Sequence, residues 1–527
     1  MPPDMPREDY AAPAMYTLSY LSRILKFLLY GVVGLTTVSL ASFEGLHFYI
    51  EHSAMALPSR SSEPSDPYGW QEENQGWTGG SKGGTDRRLG WKARHALRGA
   101  WICQEWGAGS APGAIGKAST SVHPSMGSRG MIGSKINKID RGYELAEEYI
   151  DVAIAQAQKK GMVFPPVLSN LRQPGPPTEG EVEKTALPQG DATTIDLLCL
   201  KAGVLERIST PDALVQAKEL YERVLIATTK QNGENRAKVM RLAGKIGDIT
   251  ARSGQSAEAV EWWIWGLARA DVQLPSVSTV VKEEIKGWFS RSKASDNKDT
   301  SVIATAPRID LHLPPPILRA TISLLISTSA HLATTSNLHL ASAIQSLALS
   351  LLPPTTRIPS PTSSTASQTL HTTWLQQRSS LLNLHHSSVT HALSPTSTRP
   401  VELATQASKE SEAILPSILP LPSAYSAPSN PLSLPSRHLQ RDTILTAAEA
   451  SYTRGLLLEK SAKNNLDHLE LAVECFDRAM ELSILESGAS KSKDGELEEG
   501  TGRGEEFGKY WRSFARVKSK LEVVTAA

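Results

Sequence analysis

The chain has 527 residues, 40% of them hydrophobic and 21% charged, which is the composition of a folded protein of roughly three domains at about 150 residues each. Its net charge of +1 argues against a nucleic-acid-binding protein, because such a protein would carry a basic domain. The three cysteines, Cys103, Cys199 and Cys475, lie far apart, so neither a disulfide framework nor a cysteine-rich zinc site is supported.

Near the N-terminus, an uncharged apolar run extends from Phe27 to Phe43. With the two apolar residues before Lys26 it forms a segment of about 20 residues, which is long enough to span a ~30 Å hydrocarbon core as a helix. We therefore predict one transmembrane helix at 24–43. The preceding tail, residues 1–23, is partly acidic, and no small-residue cleavage site follows the run, which favours an uncleaved anchor over a signal peptide.

The charges that flank this helix predict its orientation. Arg7, Arg23 and Lys26 precede it, whereas Glu44 and Glu51 follow it. The positive-inside rule then leaves the tail in the cytosol or mitochondrial matrix and the bulk of the chain on the other side. None of the 11 asparagines begins an N-x-[ST] glycosylation site. This favours the mitochondrial inner membrane, with the bulk in the intermembrane space, over the endoplasmic reticulum membrane.

The next segment, residues 44–113, is rich in Gly and holds five of the 11 tryptophans. Within it, the stretch Leu89–Trp106 has helical spacing. Its predicted apolar face consists of Trp91, Leu97, Trp101 and Ile102. Two interpretations are equally supported: the helix lies on lipid headgroups, where Trp and basic residues are common, or it caps the first helices of the following domain.

Helical patterns dominate the rest of the chain, and no stretch alternates with period two, so we predict an all-α fold. Segments rich in Gly, Ser, Thr and Pro bury too little apolar surface to order themselves and predict linkers or disordered insertions. The predicted boundaries are a linker at 114–138, a helical domain at 139–486 with disordered insertions near 353–369 and 416–436, a linker at 487–505, and a C-terminal helix at 506–524.

The most informative pattern lies at Met240–Asp271. Small and large residues alternate there over two predicted helices: Ile246, Gly247, Thr250, Gly254, Ala259, Trp263 and Gly266. Gly247 would allow a partner helix to cross closely, Gly254 would end the first helix, and Trp263 would fill the contact from the second. The pattern resembles the 34-residue tetratricopeptide unit, although Ala243 stands where that family usually has a large residue.

Two further helix pairs look like degenerate copies of this unit. The residues expected to pack them are Ala202, Gly203, Ala217 and Tyr221 in the earlier pair, and Gly455, Ala472, Phe476 and Ala479 in the later one. Because each unit of such an array contacts only its neighbours, insertions can loop out without destroying the stack. The sequence therefore predicts a tetratricopeptide-like helical solenoid.

The sequence contains no arrangement that predicts catalysis. The adjacent pair His385–His386 lacks further ligands at metal-binding spacing, and H-E-x-x-H, paired C-x-x-C, nucleophile-elbow and dinucleotide-binding motifs are absent. We therefore predict a protein that is not an enzyme and has no cofactor, metal site or small-molecule substrate.

A possible contact for protein partners lies on the first helix of the best repeat. Lys238, Arg241 and Lys245 follow one another at i, i+3 and i+7 and predict one basic helix face. A carboxylate clamp of the kind found in chaperone-binding tetratricopeptide domains would need asparagines on the neighbouring first helices, and these are missing. Two interpretations of this basic face remain: it is solvated, or it contacts an acidic or extended client protein.

A short tail, one transmembrane helix, a Trp-rich segment and a tetratricopeptide-like region together resemble the fungal adaptor subunit of the mitochondrial inner-membrane i-AAA protease. The resemblance implies a non-enzymatic adaptor that captures unfolded proteins and delivers them to the protease. A structural assembly factor for a membrane protein complex is the alternative from another functional class.

Overall fold

The computed structural model describes most of the helical sequence. The described residues are 11–56, 68–73, 77–80, 83–106, 141–167, 175–177, 190–229, 235–270, 313–352, 365–419, 422, 425, 432–462, 465–486 and 505–526. The chain divides into two compact units, Met1–Ala56 and Leu57–Ala527. No strand occurs among the described residues, which confirms the all-α class for that part of the chain.

The first unit is one long helix, α1 (Ala11–Tyr49), followed by a π-helical turn at Ile50–Ala54. It is apolar and long enough to cross a membrane, as predicted, but it extends beyond the predicted bounds at both ends. The hydroxyls of Thr36 and Thr37 donate to the carbonyl oxygens of Val32 and Val33, at 2.9 and 2.7 Å. These bonds satisfy polar groups that hydrocarbon could not.

The helices of the second unit follow in chain order: α2 (Gly90–Glu105), α3 (Arg141–Lys159), α4 (Ala192–Ile208), α5 (Pro211–Thr229), α6 (Arg236–Arg252), α7 (Ser256–Ala268), α8 (Pro315–Thr334), α9 (Leu338–Ser350), α10 (Ala366–Leu393), α11 (Arg399–Ile418), α12 (Ser433–Ala462), α13 (Leu466–Glu486) and α14 (Glu505–Ala526). A single helical turn, Trp70–Glu73, precedes them.

These helices pack as a row of hairpins. Each helix contacts the next along the chain, from α2 to α14. In addition, α6 contacts α8, α8 contacts α10, and α10 contacts α12. We call α4, α6, α8, α10 and α12 the first helices, and their hairpin partners the second helices. The buried apolar side chains form successive clusters that share helices, so the core runs along the row.

Local chemistry explains where the helices of the best repeat begin and end. The Asn235 side chain caps α6 by accepting the Lys238 backbone N–H at 3.0 Å. Gly254, at φ +84°, adopts the left-handed conformation just after α6, so the predicted helix stop is observed. Ser209 plays the same part between α4 and α5 at φ +61°.

Helix α2 packs against α3, so the interpretation in which it caps the following helices is the one observed. The predicted apolar face is wrong in part, because Leu97 is buried but Trp91 is 67% exposed. Alanines supply much of the contact instead: Ala93 and Ala100 of α2 lie in one buried cluster with Ala146, Ala153 and Ala157 of α3. Such small side chains let the two helices approach closely.

Three predicted boundaries are corrected by the helices. The insertion predicted at 353–369 ends earlier, because α10 begins at Ala366. The one predicted at 416–436 is helical at both ends, since α11 runs to Ile418 and α12 begins at Ser433. The C-terminal helix begins at Glu505 and extends to Ala526. The predicted linker at 114–138, and most of the linker at 487–505, lie outside the described residues.

Helix α8 is also long and apolar enough to cross a membrane by length and composition. More than half of its most apolar window is buried, however, and it contacts α6, α7, α9 and α10. Arg319 and His331 lie buried within it. These are the properties of a core helix of the second unit.

Candidate protein-binding surface

The first helices lie side by side, and their shared surface, which we call the first-helix face, carries a series of polar contacts between helices. Lys245 of α6 pairs with Glu206 of α4 at 3.0 Å. Arg319 of α8 lies 3.1 Å from the ring nitrogen Nδ1 of His371 of α10. Arg378 of α10 pairs with Asp442 of α12. The face therefore has polar and charged side chains where stacking alone would require only apolar ones.

The contact between α10 and α12 is a largely buried ion pair. Arg378 Nη2 lies 2.7 Å from Asp442 Oδ2, and their side chains are 6% and 13% exposed. The Gln377 side chain donates to the Thr446 hydroxyl at 2.9 Å beside this pair. Charge-assisted bonds of this geometry fix the register of one helix against the other.

The predicted basic face of α6 meets acidic groups of the same chain. Arg241 pairs with Glu73 at 3.3 Å, and Lys245 pairs with Glu206. Lys238 is half-buried and lies near Asp196 of α4, where its positive charge acts on the carboxylate. The structure thus brings the three predicted residues together on one face, but their charges are balanced internally.

Two acidic residues on this face have strongly raised pKa values. Burial raises the pKa of Asp196 to about 6, against the opposing charge of Lys238. Burial, together with the negative charge of Glu206, also raises the pKa of Asp248 to about 6. Lys245 and a hydrogen bond from Trp263 oppose that second shift. Both carboxyls therefore change protonation in the mildly acidic range.

Charges from several helices of the first-helix face act on one histidine. His438 lies on α12, and its pKa is lowered by burial and also by Arg207 of α4, Arg441 of α12 and Lys245 of α6, while Asp442 opposes the shift. Positive charges from α4, α6 and α12 therefore act together on this ring.

Several of the residues predicted to pack the pattern at Met240–Asp271 meet at the crossing of α6 and α7. A Cβ atom added to Gly247 would lie 2.7 Å from Trp263 Cδ1, closer than side chains approach. Trp263 is 1% exposed, and its indole N–H donates to Asp248 Oδ1 at 3.2 Å. Ile246 and Ala259 are fully buried beside them.

Two more residues of the same set explain how α8 stacks on this hairpin. A Cβ atom on Gly266 would lie 3.1 Å from both Ala243 and Leu324 of α8. The small Ala243, where the tetratricopeptide family usually has a large residue, therefore makes room for this approach. The buried hydroxyl of Thr250 donates to the Ile246 carbonyl at 2.6 Å and so costs no unsatisfied group.

In the two other helix pairs, most of the predicted packing residues are buried. A Cβ atom on Gly455 would lie 2.8 Å from Phe476 Cε1, and Ala472, Phe476 and Ala479 are fully buried. In the earlier pair Ala202 and Ala217 are fully buried, Tyr221 is 6% exposed, and Gly203 is only half-buried. The Tyr221 hydroxyl donates to Glu206 at 3.2 Å, which couples this hairpin to the first-helix face.

Of the three clustered tryptophans of α7, two are buried and the third bonds to the backbone of another segment. Trp262 and Trp263 are 0% and 1% exposed and belong to the core. Trp265 is half-buried, and its indole N–H donates to the Pro177 carbonyl at 3.0 Å.

The histidine pair of α10 has no metal-binding geometry. His385 is 3% exposed, and neither ring nitrogen has a hydrogen-bond partner in the described part of the chain. His386 Nδ1 lies 3.2 Å from Gln345 Oε1 of α9. Within the described ranges no group of three or more His, Cys, Asp and Glu side chains is placed to hold a metal ion.

Sequence reasoning missed one element of this surface. The segment Tyr68–Glu73 lies against α6, α8 and α10, with Trp70 only 2% exposed. The sequence shows that this region is rich in Trp and Gly, but no local periodicity indicates a contact with helices that follow 170 to 300 residues later.

A scan against protein-family models and a search of curated proteins give no match for this sequence.

Proposed function

We propose that this protein is a membrane-anchored, non-enzymatic adaptor that binds other proteins on its first-helix face. The observation that carries the proposal is the series of polar contacts along the first helices, which join α4 to α6, α8 to α10 and α10 to α12. An apolar helix of membrane-spanning length lies near the N-terminus of the same chain. We propose that the first-helix face is the concave side of the array, because helical-hairpin arrays use concave surfaces to hold extended partners.

The proposal includes a tetratricopeptide-like identity for the hairpins. Its support is the small-against-large crossing, seen for Gly247 with Trp263 and for Gly455 with Phe476. In this array each unit would contribute one first helix to the binding surface and one second helix to the opposite side. Balanced ion pairs such as Lys245–Glu206 would then be available for exchange with charged groups of a partner.

Anchoring in the membrane explains how weak contacts on the first-helix face would suffice to bind a partner. A partner in the same bilayer is held at high effective concentration, so weak binding on the first-helix face still gives high occupancy. We propose the mitochondrial inner membrane as that bilayer, with the tail in the matrix and the bulk in the intermembrane space. The flanking charges and the missing glycosylation sites support this location over the endoplasmic reticulum. Unfolded clients delivered to an i-AAA protease are the partners that the family resemblance suggests.

Aggregation of a chemically unfolded model protein tests the proposal. The full chain in detergent micelles is expected to slow aggregation at near-stoichiometric ratios, whereas empty micelles have no effect. If aggregation is unchanged and deleting the protein in cells removes one specific membrane complex from native gels, the chain is a structural assembly factor instead. Cell fractionation with protease protection tests the location, and a protein recovered with endoplasmic reticulum membranes would refute that part.

A further inference from the structure

The segment Tyr68–Glu73 makes an unusual contact for a connecting peptide, because it meets three first helices that are distant in sequence. The Glu73 carboxylate lies between two arginines, 3.3 Å from Arg241 of α6 and 2.7 Å from Arg319 of α8. The indole N–H of Trp70 donates to the Ser367 carbonyl oxygen at the start of α10, at 3.1 Å. Three successive hairpins thus each contribute one contact.

Arg319 is the centre of this contact. It is 2% exposed, and its guanidinium carbon lies 3.8 Å from the centroid of the Trp70 ring, a cation–π arrangement. Its Nε donates to Glu73 at 2.7 Å, and its Nη2 donates to the Tyr68 carbonyl at 2.5 Å. The remaining edge faces His371 Nδ1. Because guanidinium only donates, that nitrogen is an acceptor and the His371 ring is neutral.

The backbone of the segment approaches α8 very closely. Gly69 has φ +63°, and a Cβ atom added there would lie 2.5 Å from Pro316 Cγ. A side chain at this position would therefore be strained in conformation and would also collide with the first turn of α8. The segment fits only because residue 69 is glycine.

These contacts are those of peptide recognition: an aromatic anchor under an arginine, a carboxylate between two cations, and main-chain carbonyls bonded on both sides. We propose that residues 68–73 are an internal ligand on a peptide-binding site of the first-helix face. The site takes a peptide in a single helical turn, in which Trp is followed three residues later by an acidic residue, and another protein that presents this pattern displaces the internal segment. The inference rests on the proposed adaptor function and names the chemistry of its partner.

Because residues 68–73 already occupy the site, a partner must compete with them in order to bind. A tethered ligand is present at an effective concentration in the millimolar range, so a competing peptide succeeds only when it is concentrated or makes additional contacts. Partners held in the same bilayer meet that condition, whereas dilute soluble peptides do not. The apparent affinity for an added peptide falls in proportion to the fraction of chains whose site is vacant.

The test measures binding of a fluorescein-labelled peptide with the sequence of residues 68–73, YGWQEE, to the full chain in detergent micelles by anisotropy. Gly69→Ala vacates the site and leaves the residues of α6, α8 and α10 unchanged. We expect it to bind the probe at least about tenfold more tightly than the unsubstituted chain does. Gly161→Ala is the matched control, since Gly161 also has a positive φ (+73°) but an added Cβ meets no atom within 4 Å. It should bind the probe no better than the unsubstituted chain.

Two altered probes test the recognition pattern. Probes carrying Trp70→Ala or Glu73→Gln should each bind Gly69→Ala at least about tenfold more weakly than YGWQEE, because each loses one anchor. If Gly69→Ala does not fold, Glu73→Gln in the full chain, which weakens docking without backbone strain, is tested with the same probe and should increase its binding. A folded vacated chain that ignores YGWQEE, or binds all three probes equally, overturns the inference. An unfolded client that still contacts the first-helix face in that case would leave the proposed function standing.

Discussion

At the crossing of α6 and α7 the absence of a side chain at residue 247 determines how closely the helices pack. Trp263 occupies the space that a Cβ atom would take. In a helix with free space, replacing Gly with Ala stabilises by about 0.5–1 kcal/mol because the unfolded chain loses freedom. At residue 247 the collision of the added Cβ atom with the indole ring exceeds that gain.

We therefore expect Gly247→Ala to lower the free energy of unfolding by about 1–3 kcal/mol, the usual cost of overpacking a core. Gly508→Ala in α14 is the matched control, because nothing lies within 4 Å of its added Cβ, and it should raise the free energy of unfolding by about 0.5–1 kcal/mol. Urea melts of the full chain in micelles, followed by circular dichroism, measure both. A Gly247→Ala chain as stable as its parent would contradict this packing.

His385 gives a prediction on pH. Burial, and then the charge of Arg378, lower the pKa of this ring to about 4 in the folded chain, against an ordinary value of 6.5. The unfolded chain therefore binds a proton that the folded chain excludes, so His385 costs stability as the pH falls from 6.5 toward 4. At pH 5 this cost is about 2 kcal/mol.

Replacing the ring isolates this effect from other groups, because the raised pKa values of Asp196 and Asp248 act in the opposite direction over a similar range. The stability of His385→Leu relative to the unsubstituted chain should increase by about 2 kcal/mol between pH 8 and pH 5. Urea melts at both pH values measure the difference. An unchanged difference would show that His385 is protonated as easily in the folded chain as in the unfolded one.

At the scale of the elements, the ion pair Arg378–Asp442 joins α10 to α12 across the first-helix face. Breaking a buried pair leaves one charge without compensation, so single substitutions cost more than the pair itself contributes. A double-mutant cycle separates the two effects.

For Arg378→Met and Asp442→Asn we expect a coupling energy of about 1–3 kcal/mol. Arg399 and Glu402 of α11 are the control, since their side chains are 64% and 60% exposed, and their cycle should give less than about 0.5 kcal/mol. Urea melts of the four chains in each cycle supply the energies. Equal coupling energies in both cycles would mean that burial does not strengthen the Arg378–Asp442 interaction.

The sequence predicted the hairpin α6–α7 because glycine and tryptophan mark its crossing. It missed the close packing of α10 and α11, where the small residues are serines. Ser380 and Ser387 of α10 donate to backbone carbonyls of Ala407 and Pro400, each at 2.6 Å. Serine is small enough for close contact and its hydroxyl is satisfied across the interface, but Ser-rich composition indicates disorder when it is judged locally. The docking of residues 68–73 was unpredictable for another reason, because it depends on contacts distant in sequence.

At the scale of the whole molecule, one chain carries an apolar helix and a row of hairpins, each in its own compact unit. The helix α1 exposes large apolar side chains along most of its length within its own unit. Such a surface is unstable in water and stable in a bilayer.

Charges introduced into α1 should therefore release the chain from membranes. Val32→Asp combined with Leu35→Asp costs roughly 2.5–3.5 kcal/mol of insertion energy per residue, and the doubly substituted chain should appear in the soluble fraction after alkaline carbonate extraction. Val215→Asp is the control, because Val215 is 62% exposed on α5 and should leave the chain in the membrane fraction. A doubly substituted chain that stays in the pellet would argue against α1 as the anchor.

Site-specific photo-crosslinking to a permanently unfolded model protein tests most directly whether the first-helix face binds other polypeptides. A photo-reactive residue replaces either His438 on the first-helix face or Lys409, an exposed residue of the second helix α11, in the full chain. We predict light-dependent adducts from position 438 that excess unlabelled client suppresses, and few or none from position 409. Equal adducts from both positions, or none from position 438 while the client is present in excess, would contradict this prediction.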